Sequence, residues 1–193
     1  KESVDALAIK EEGVYVDVTF GGGGHSREIL NRLGEKGKLF AFDQDIDAQQ
    51  NKIEDDRFVL IAENFRYIHR FLKFYGIQKV DGILADLGVS SHQFDEAERG
   101  FSIRFDGDLD MRMNQTASFS AQEVINTYSE ERLADILFLY GELRNSRALA
   151  KTIVTERSNQ KIKTSFQLKE VLKKYLPKAK EHKILAQIFQ AIR

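Results

Sequence analysis

VDVTFGGGGHS, at residues 16–26, passes from a β-prone stretch into four consecutive glycines. A periodic segment at residues 27–33 follows, so the glycines stand where a strand gives way to a helix. Glycine tolerates positive φ and has no Cβ, so four in a row allow a ligand to approach the backbone closely. The pattern predicts a ligand-binding turn. The alternative is a flexible surface hinge, which is unusual between a buried strand and a helix start.

Strands and helices alternate through the first hundred residues. Apolar runs predict strands at residues 13–20, 38–42, 58–61 and 80–85. Helical spacing of apolar residues predicts helices at 27–33, 46–53 and 67–75. Buried strands with helices between them favour an α/β fold with a parallel, doubly wound sheet, and ligands bind at the carboxyl ends of such strands.

After about residue 114 the pattern predicts helices only. Ser120 with Glu123 and Thr164 with Gln167 have capping-box spacing, which predicts two helix starts. Two apolar stripes predict core-facing helix sides, and the single proline, Pro177, is expected to end the second helix. The stripes are Leu133, Ile136, Leu137, Tyr140 and Leu168, Val171, Leu172, Tyr175.

Composition narrows the class of protein. The chain has 193 residues and is 42% hydrophobic, which is enough for a core. It has no cysteine and no apolar run long enough to span a bilayer, so the expected location is the cytoplasm. The chain begins at Lys1 close to its first strand, and we expect the natural protein to extend beyond this end.

The net charge of −1 conceals an uneven distribution. Residues 144–193 contain 13 Lys and Arg against 3 Asp and Glu, which leaves 16 against 27 for residues 1–143. The last quarter therefore carries +10 and the remainder −11. Such asymmetry predicts a polyanionic partner for the basic part, the alternative being a solvated, lysine-rich helix surface.

Spacing within the glycine turn bears on which ligand it holds. The dinucleotide pattern G-x-G-x-x-G would require glycine where Ser26 stands, which disfavours NAD and FAD. No glycine-lysine pair fits a triphosphate-binding loop. S-adenosylmethionine is the remaining candidate ligand. Asp43 follows the second predicted strand and is suited to the ribose hydroxyls of this ligand.

An acidic stretch resembles a calcium-binding loop. Asp43, Asp45, Asp47 and Glu54 match its acidic positions, but Ala48 occupies the place that requires glycine for a sharp turn. A buried strand rather than a helix also precedes Asp43. We therefore predict no metal site.

Several longer segments resemble one family. They are ADLGVSSHQFD at 85–95, ERGFS at 98–102, DLDMRM at 108–113, YGE at 140–142, RNSRA at 144–148 and FQAIR at 189–193. Together with the glycine turn they resemble the RsmH/MraW family, S-adenosylmethionine-dependent methyltransferases that modify N4 of a cytosine in 16S ribosomal RNA. The resemblance covers nearly the whole chain. It implies a Rossmann-like class I methyltransferase sheet with an inserted all-α subdomain. Where the family usually has proline, this chain has His92, whose role stays open.

The resemblance implies a set of site residues. Gly23, Gly24 and His25 would hold the methionine part of S-adenosylmethionine, Asp43 the ribose, and Phe65 would border the adenine. Asp86 and Gln93 would line the same pocket, with Asp86 as the catalytic residue. The alternatives are that His25 only caps the following helix and that Phe65 belongs to the core. The RNA contacts expected in the basic segment are Arg144, Arg147, Lys173, Lys174, Lys178, Lys180 and Lys183.

The resemblance also predicts a domain organisation. Residues 1–113 would form the core with its first four strands, 114–186 a helical subdomain facing RNA, and 187–193 the start of a return to the core. We expect the natural protein to continue beyond Arg193. The implied partner is 16S ribosomal RNA or the small ribosomal subunit, without a membrane, and the oligomeric state, a homodimer included, stays open. The alternative function is a noncatalytic RNA-binding or assembly module that keeps a cofactor pocket.

Overall fold

The structure is a computed structural model that describes residues 2–193, except for the side chain of Ser91. It divides into two compact units. The sheet unit comprises the chain up to Gly88 with Met113–Gln115, and the helical unit comprises Val89–Arg112 with Thr116–Arg193. The domain boundaries expected from the sequence, after residues 113 and 186, stay predictions.

The sheet unit alternates helices and strands. Its elements are α1 (Glu2–Ala6), β1 (Val14–Asp17), α2 (Gly24–Leu30), β2 (Lys38–Phe42), α3 (Ile46–Gln49), β3 (Phe58–Ile61), a 3-10 turn (Phe65–Tyr67), α4 (Ile68–Phe74) and β4 (Gly82–Leu84). The four strands are parallel and lie in the order β3-β2-β1-β4. The predicted α/β class with a parallel, Rossmann-like sheet is confirmed.

Several strands and helices begin or end at residues other than the predicted ones. The bounds of β2 and β3 agree with prediction, whereas β1 and β4 are shorter than their apolar runs. Helix α2 begins at Gly24, three residues earlier than predicted, because Gly23 takes the left-handed conformation (φ 75°) and serves as the N-cap. Helix α3 ends four residues earlier than predicted, at Gln49.

Alternation along the strands gives the sheet two apolar faces. Tyr15, Leu39 and Ala41 face one side, where Ile29 and Leu30 of α2 pack against them. On the other face, α4 covers the strands. The Phe71 ring lies 6.1 Å from that of Phe42, and the Tyr75 ring lies 5.3 Å from that of Phe40.

The helical unit is built from short helices. They are α5 (Ser91–Asp95), α6 (Ala121–Thr127), α7 (Glu130–Leu139), α8 (Ser146–Asn159), α9 (Ser165–Val171) and α10 (Glu181–Ile192). Both predicted capping boxes, at Ser120 and at Thr164, are confirmed. None of the helices formed by residues 2–193 combines the length and the apolar character needed to cross a membrane.

The predicted core stripes are confirmed in part. Leu133 and Leu137 of α7 and Leu168 and Leu172 around α9 are fully buried. Tyr140 was assigned to the first stripe wrongly, because α7 ends at Leu139 and the Tyr140 side chain is 61% exposed. The prediction that Pro177 ends the second helix is wrong, because α9 ends at Val171 and a 3-10 turn at Lys173–Tyr175 lies between them.

We predict that Leu137→Ala destabilises the protein by about 2–5 kcal/mol, because it leaves a cavity in a closely packed helix interface. Leu139→Ala is the matched control, since Leu139 lies on the same helix and is 65% exposed. Its expected cost is below about 0.5 kcal/mol. Urea unfolding of both variants measures the difference, and equal losses would contradict the packing described for α7.

Candidate functional site

The glycine turn is held in one conformation by bonds to its backbone. The N–H of Gly23 donates to the Phe20 carbonyl at 2.8 Å. The side chain of Arg27 donates to the Gly22 carbonyl at 2.6 Å, and that of Asn51 to the Gly21 carbonyl at 3.1 Å. These three hydrogen bonds support a defined turn, as the ligand-binding interpretation requires.

Three glycines of the turn, Gly21, Gly22 and Gly24, leave space where a side chain would be. A Cβ added to any of the three would meet no atom within 4 Å. The N–H groups of Gly22 and Gly24 have no hydrogen-bond acceptor among residues 2–193. Gly21 and Gly23 have φ values of 50° and 75°, which L side chains rarely adopt. The turn thus offers free N–H donors and open volume beside a fixed backbone.

Asp43 joins the end of β2 to this turn. One of its carboxylate oxygens accepts the Gly21 N–H at 2.8 Å, and the other accepts the Asp45 N–H at 2.9 Å. Each oxygen has two lone pairs, so the carboxylate can still accept hydroxyl donors. Burial raises the pKa of Asp43 above its ordinary value of 3.8, and its two backbone hydrogen bonds offset part of that effect. This position suits the expected ribose contact.

Asp86 follows β4 and is tied to the end of β1. Its N–H donates to the Thr19 hydroxyl at 2.8 Å, across 67 residues of sequence. The Asp86 side chain is exposed. Because β1 lies between β2 and β4, the segments that carry Asp43 and Asp86 both bond to the stretch between β1 and α2. The structure therefore brings these two predicted residues to the same edge of the sheet.

A buried carboxylate beneath the turn supports this arrangement, and the sequence did not single it out. Asp17, the last residue of β1, is fully buried. It accepts the Ser26 hydroxyl at 2.8 Å and the Thr19 N–H at 3.0 Å. Burial raises its pKa above 3.8, and these donors limit the rise. Asp17 thus links the start of α2 to Thr19, the acceptor for Asp86.

Phe65 follows β3 at the same sheet edge. Its side chain is 41% exposed, so the alternative that it belongs to the core is wrong. The Asn64 side chain holds the segment, since it accepts the Arg66 N–H at 2.9 Å and donates to the Gln44 side chain at 2.9 Å. That second bond connects the chain after β3 to the chain after β2. An exposed ring at a fixed strand end is suited to stacking on a flat ligand.

His25 and Gln93 have different surroundings. His25 is half-buried as the second residue of α2, and the helix N-cap, Gly23, has no side-chain capping bond, so the alternative that His25 caps the helix is wrong. Gln93 belongs to the helical unit, where it completes an unpredicted capping box with Ser90. The expected cofactor contacts of both residues stay predictions.

The acidic loop is used for local hydrogen bonds. Asp45 is buried and caps α3 by accepting the Asp47 N–H at 3.2 Å, while Asp43 binds two backbone N–H groups. Within residues 2–193, no three acidic or histidine side chains cluster in a way that could hold a metal ion.

The expected RNA contacts lie in the helical unit, and most of them are solvent-exposed cations. Lys173 pairs with Glu170 at 3.0 Å, and the Lys174 ammonium lies 5.0 Å from the centre of the Tyr175 ring. The remaining residues are exposed and have no ion pair within residues 2–193; they are Arg144, Arg147, Lys178, Lys180 and Lys183. Arg157 is different, because its guanidinium donates to the Ile125 carbonyl at 2.6 Å and so closes the end of α6.

Comparison with known proteins connects this arrangement to one family. The model of the MraW methylase family matches residues 1–193. Proteins named ribosomal RNA small subunit methyltransferase H are similar along the chain: that of Christiangramia forsetii is 67% identical over 193 residues, all of this chain and 64% of the relative. Those of Flavobacterium johnsoniae and Bacteroides fragilis are 64% and 60% identical, over 99% and 100% of this chain and 63% and 64% of the relatives. The chain thus spans less than two thirds of the length of these relatives.

We predict that Asp17→Asn changes how stability depends on pH. The folded-state pKa of Asp17 is raised, so ionisation favours the unfolded chain. The wild type should therefore lose stability relative to the variant as pH rises from 3.8 through the folded-state pKa. Urea unfolding of both proteins between about pH 4 and about pH 7 measures this difference.

Asp55→Asn is the control of opposite sign. Hydrogen bonds from Arg57 lower the pKa of Asp55 from 3.8 to about 2, so there the wild type should lose its advantage as pH falls through that range, and the unfolding series for this pair extends down to about pH 2. A pH-independent difference between the wild type and Asp17→Asn would contradict the described burial.

Proposed function

The chain belongs to the MraW methylase family, and we propose that its protein transfers a methyl group from S-adenosylmethionine to the exocyclic N4 amine of a cytosine in 16S ribosomal RNA. One observation carries the proposal. The glycine turn, Asp43 and Asp86 meet at the carboxyl edge of a parallel sheet through hydrogen bonds to Gly21 and Thr19. That edge is where open α/β sheets bind their ligands.

The residues at this edge fit S-adenosylmethionine. The free N–H groups of Gly22 and Gly24 suit the carboxylate of its methionine part, and the open volume beside them suits a close approach. Asp43 retains acceptor capacity for the two ribose hydroxyls. The exposed ring of Phe65 is suited to the adenine. His25 and Gln93 are further proposed contacts.

Asp86 is the proposed catalytic residue. When bound, S-adenosylmethionine supplies a methyl group made electrophilic by the neighbouring sulfonium. The cytosine amino nitrogen is a weak nucleophile, because its lone pair is delocalised into the ring. By accepting an N–H hydrogen bond, the Asp86 carboxylate raises electron density on that nitrogen and can take the proton that it loses. The target base must be unstacked to reach such a group.

The helical unit is the proposed site of RNA attachment. Arg144, Arg147 and the exposed lysines after Lys173 provide cations for phosphates, which position a nucleic acid without reading its sequence. Two of the three acids in residues 144–193 already pair with lysines there, Glu170 with Lys173 and Glu181 with Lys169. The unpaired cations therefore determine the surface charge of this segment.

We predict that Gly24→Ala weakens binding of S-adenosylhomocysteine at least tenfold while leaving the free energy of unfolding nearly unchanged. The protein itself leaves room for the added methyl group, so the conflict would arise only with a ligand. Calorimetry measures the affinity and urea unfolding provides the control. Unchanged affinity would contradict a cofactor at Gly24, and tight binding of NAD in place of S-adenosylhomocysteine would contradict the choice of cofactor.

We predict that Asp86→Ala lowers methyl transfer by about 10²–10⁴-fold, the usual contribution of a positioned acid or base. The measurement is isotope transfer to small-subunit particles and to naked 16S RNA, followed by mapping of the modified nucleotide. Asp56→Ala is the matched control, because Asp56 is an exposed acid of the same unit. Normal turnover by Asp86→Ala would refute the mechanism. A wild type that binds RNA and cofactor without transfer would favour the noncatalytic module.

A further inference from the structure

The outer side of α4 is a basic surface within an otherwise acidic part of the chain. Residues 64–80 contain two arginines, two lysines and one histidine, and they contain no Asp or Glu. Residues 1–143 as a whole carry −11. A basic segment without any acid stands out in such surroundings. Solvation of the helix surface does not by itself account for its charge.

The amphipathic pattern of the segment brings these charges to one side. Ile68, Phe71 and Leu72 pack against the sheet, so the opposite side faces outward. That side carries His69, Arg70, Lys73 and Phe74, which are exposed and at helical spacing. With the exposed cations Arg66, in the preceding 3-10 turn, and Lys79, in the segment that follows the helix, we call these residues the α4 face. Between Arg66 and Lys73 it extends for about 10 Å, at about 1.5 Å per residue.

The cations of the α4 face form no ion pairs, whereas most other cations of the sheet unit do; within residues 2–88 only Arg27 and Lys38 also lack one. Arg70, Lys73 and Lys79 form no ion pair within residues 2–193. Elsewhere in the same unit, basic side chains are neutralised by nearby carboxylates; the pairs are Lys10 with Asp81, Arg32 with Asp5 and Glu28, Lys36 with Glu12, Lys52 with Glu54, and Arg57 with Asp55. Unpaired cations can release counterions when they meet a polyanion.

Exposed aromatic rings lie among these cations. Phe74 is 79% exposed, and its ring stands edge-on to the Tyr75 ring at 5.2 Å. The Arg66 guanidinium lies 4.5 Å from the centre of the Tyr67 ring, which is 37% exposed. Phe74 has the most exposed large apolar side chain within residues 2–193, and the flanking positions here are cationic. Cations next to exposed rings are the combination that single-stranded nucleic acids bind, by phosphate contact and base stacking.

We propose that the α4 face binds a single-stranded segment of RNA, separately from the cations of the helical unit. The inference rests on the proposed function only for RNA as the partner, and it requires neither cofactor nor catalysis. Arg70, Lys73 and Lys79 contact phosphates, and Phe74 stacks on a base. Charge complementarity alone would also admit an acidic protein, whereas each nucleotide of a single strand offers both a phosphate for the cations and a flat base for Phe74.

The charge contribution is tested by neutralisation. Arg70→Gln with Lys73→Gln is compared with Lys36→Gln with Lys52→Gln, which changes the net charge of the same unit equally but removes cations that are already paired. Binding of a labelled single-stranded RNA is measured over a range of salt concentrations by filter retention. Each phosphate contact on a single strand adds about 0.7 to the slope of log affinity against log salt. The α4 variant should lower the slope by about 1.4 and the control should leave it unchanged.

The stacking contribution is tested with Phe74→Ala, a substitution at an exposed position that leaves the core intact. We expect it to weaken binding of single-stranded RNA by roughly tenfold and binding of duplex RNA much less, since only unpaired bases are free to stack. An unchanged salt slope in the α4 variant would overturn the proposal. So would polyglutamate that competes as well as RNA, because it would show an acidic-protein surface. Absence of methyl transfer by the wild type would refute the proposed function and leave these binding results valid.

Discussion

Parallel pairing of β1 with β2 on one side and β4 on the other is the constraint on which the rest of the sheet unit depends. Asp17 at the end of β1 lies level with Ala41 on β2 and with Leu84 on β4. The chain therefore leaves all three strands at one edge. There, side chains bond to the backbone of neighbouring segments: Asp43 to the Gly21 N–H and Thr19 to the Asp86 N–H. The site is assembled by strand register first and by these bonds second.

Burial of Asp17 shows that the arrangement has a cost. A carboxylate that loses water is destabilised unless donors replace it, and its raised pKa indicates that Ser26 and Thr19 do so incompletely. An apolar residue there would avoid the penalty. It would also lose the acceptor that fixes the Thr19 backbone, and with it the position of the hydroxyl that receives the Asp86 N–H. Stability is reduced at the same place where the chain needs a defined geometry.

Local signals in the sequence predicted much of this, and long-range contacts explain the remainder. The apolar runs of β2 and β3 predicted both ends of each strand, whereas the runs of β1 and β4 extend beyond the paired residues. Capping boxes at Ser120 and Thr164 were read correctly, and the same pattern at Ser90 with Gln93 was present but was interpreted only as a ligand contact. The bond between Thr19 and Asp86 spans 67 residues and has no sequence pattern.

The distribution of charge, too, could be predicted from the sequence only in part. The net charge of residues 1–143 is −11, and this sum conceals the acid-free segment of α4. Counting charges also cannot tell paired cations from unpaired ones, and only the unpaired ones shape the field that a polyanion meets. In the sheet unit the carboxylates neutralise Lys36, Lys52 and Arg57, and they leave Arg70 and Lys73 unpaired. An acidic surface with one unpaired basic face repels a polyanion from most directions and admits it at that face. For the RNA proposed to bind there, the acidic surroundings would thus favour an orientation that attraction alone would leave undefined.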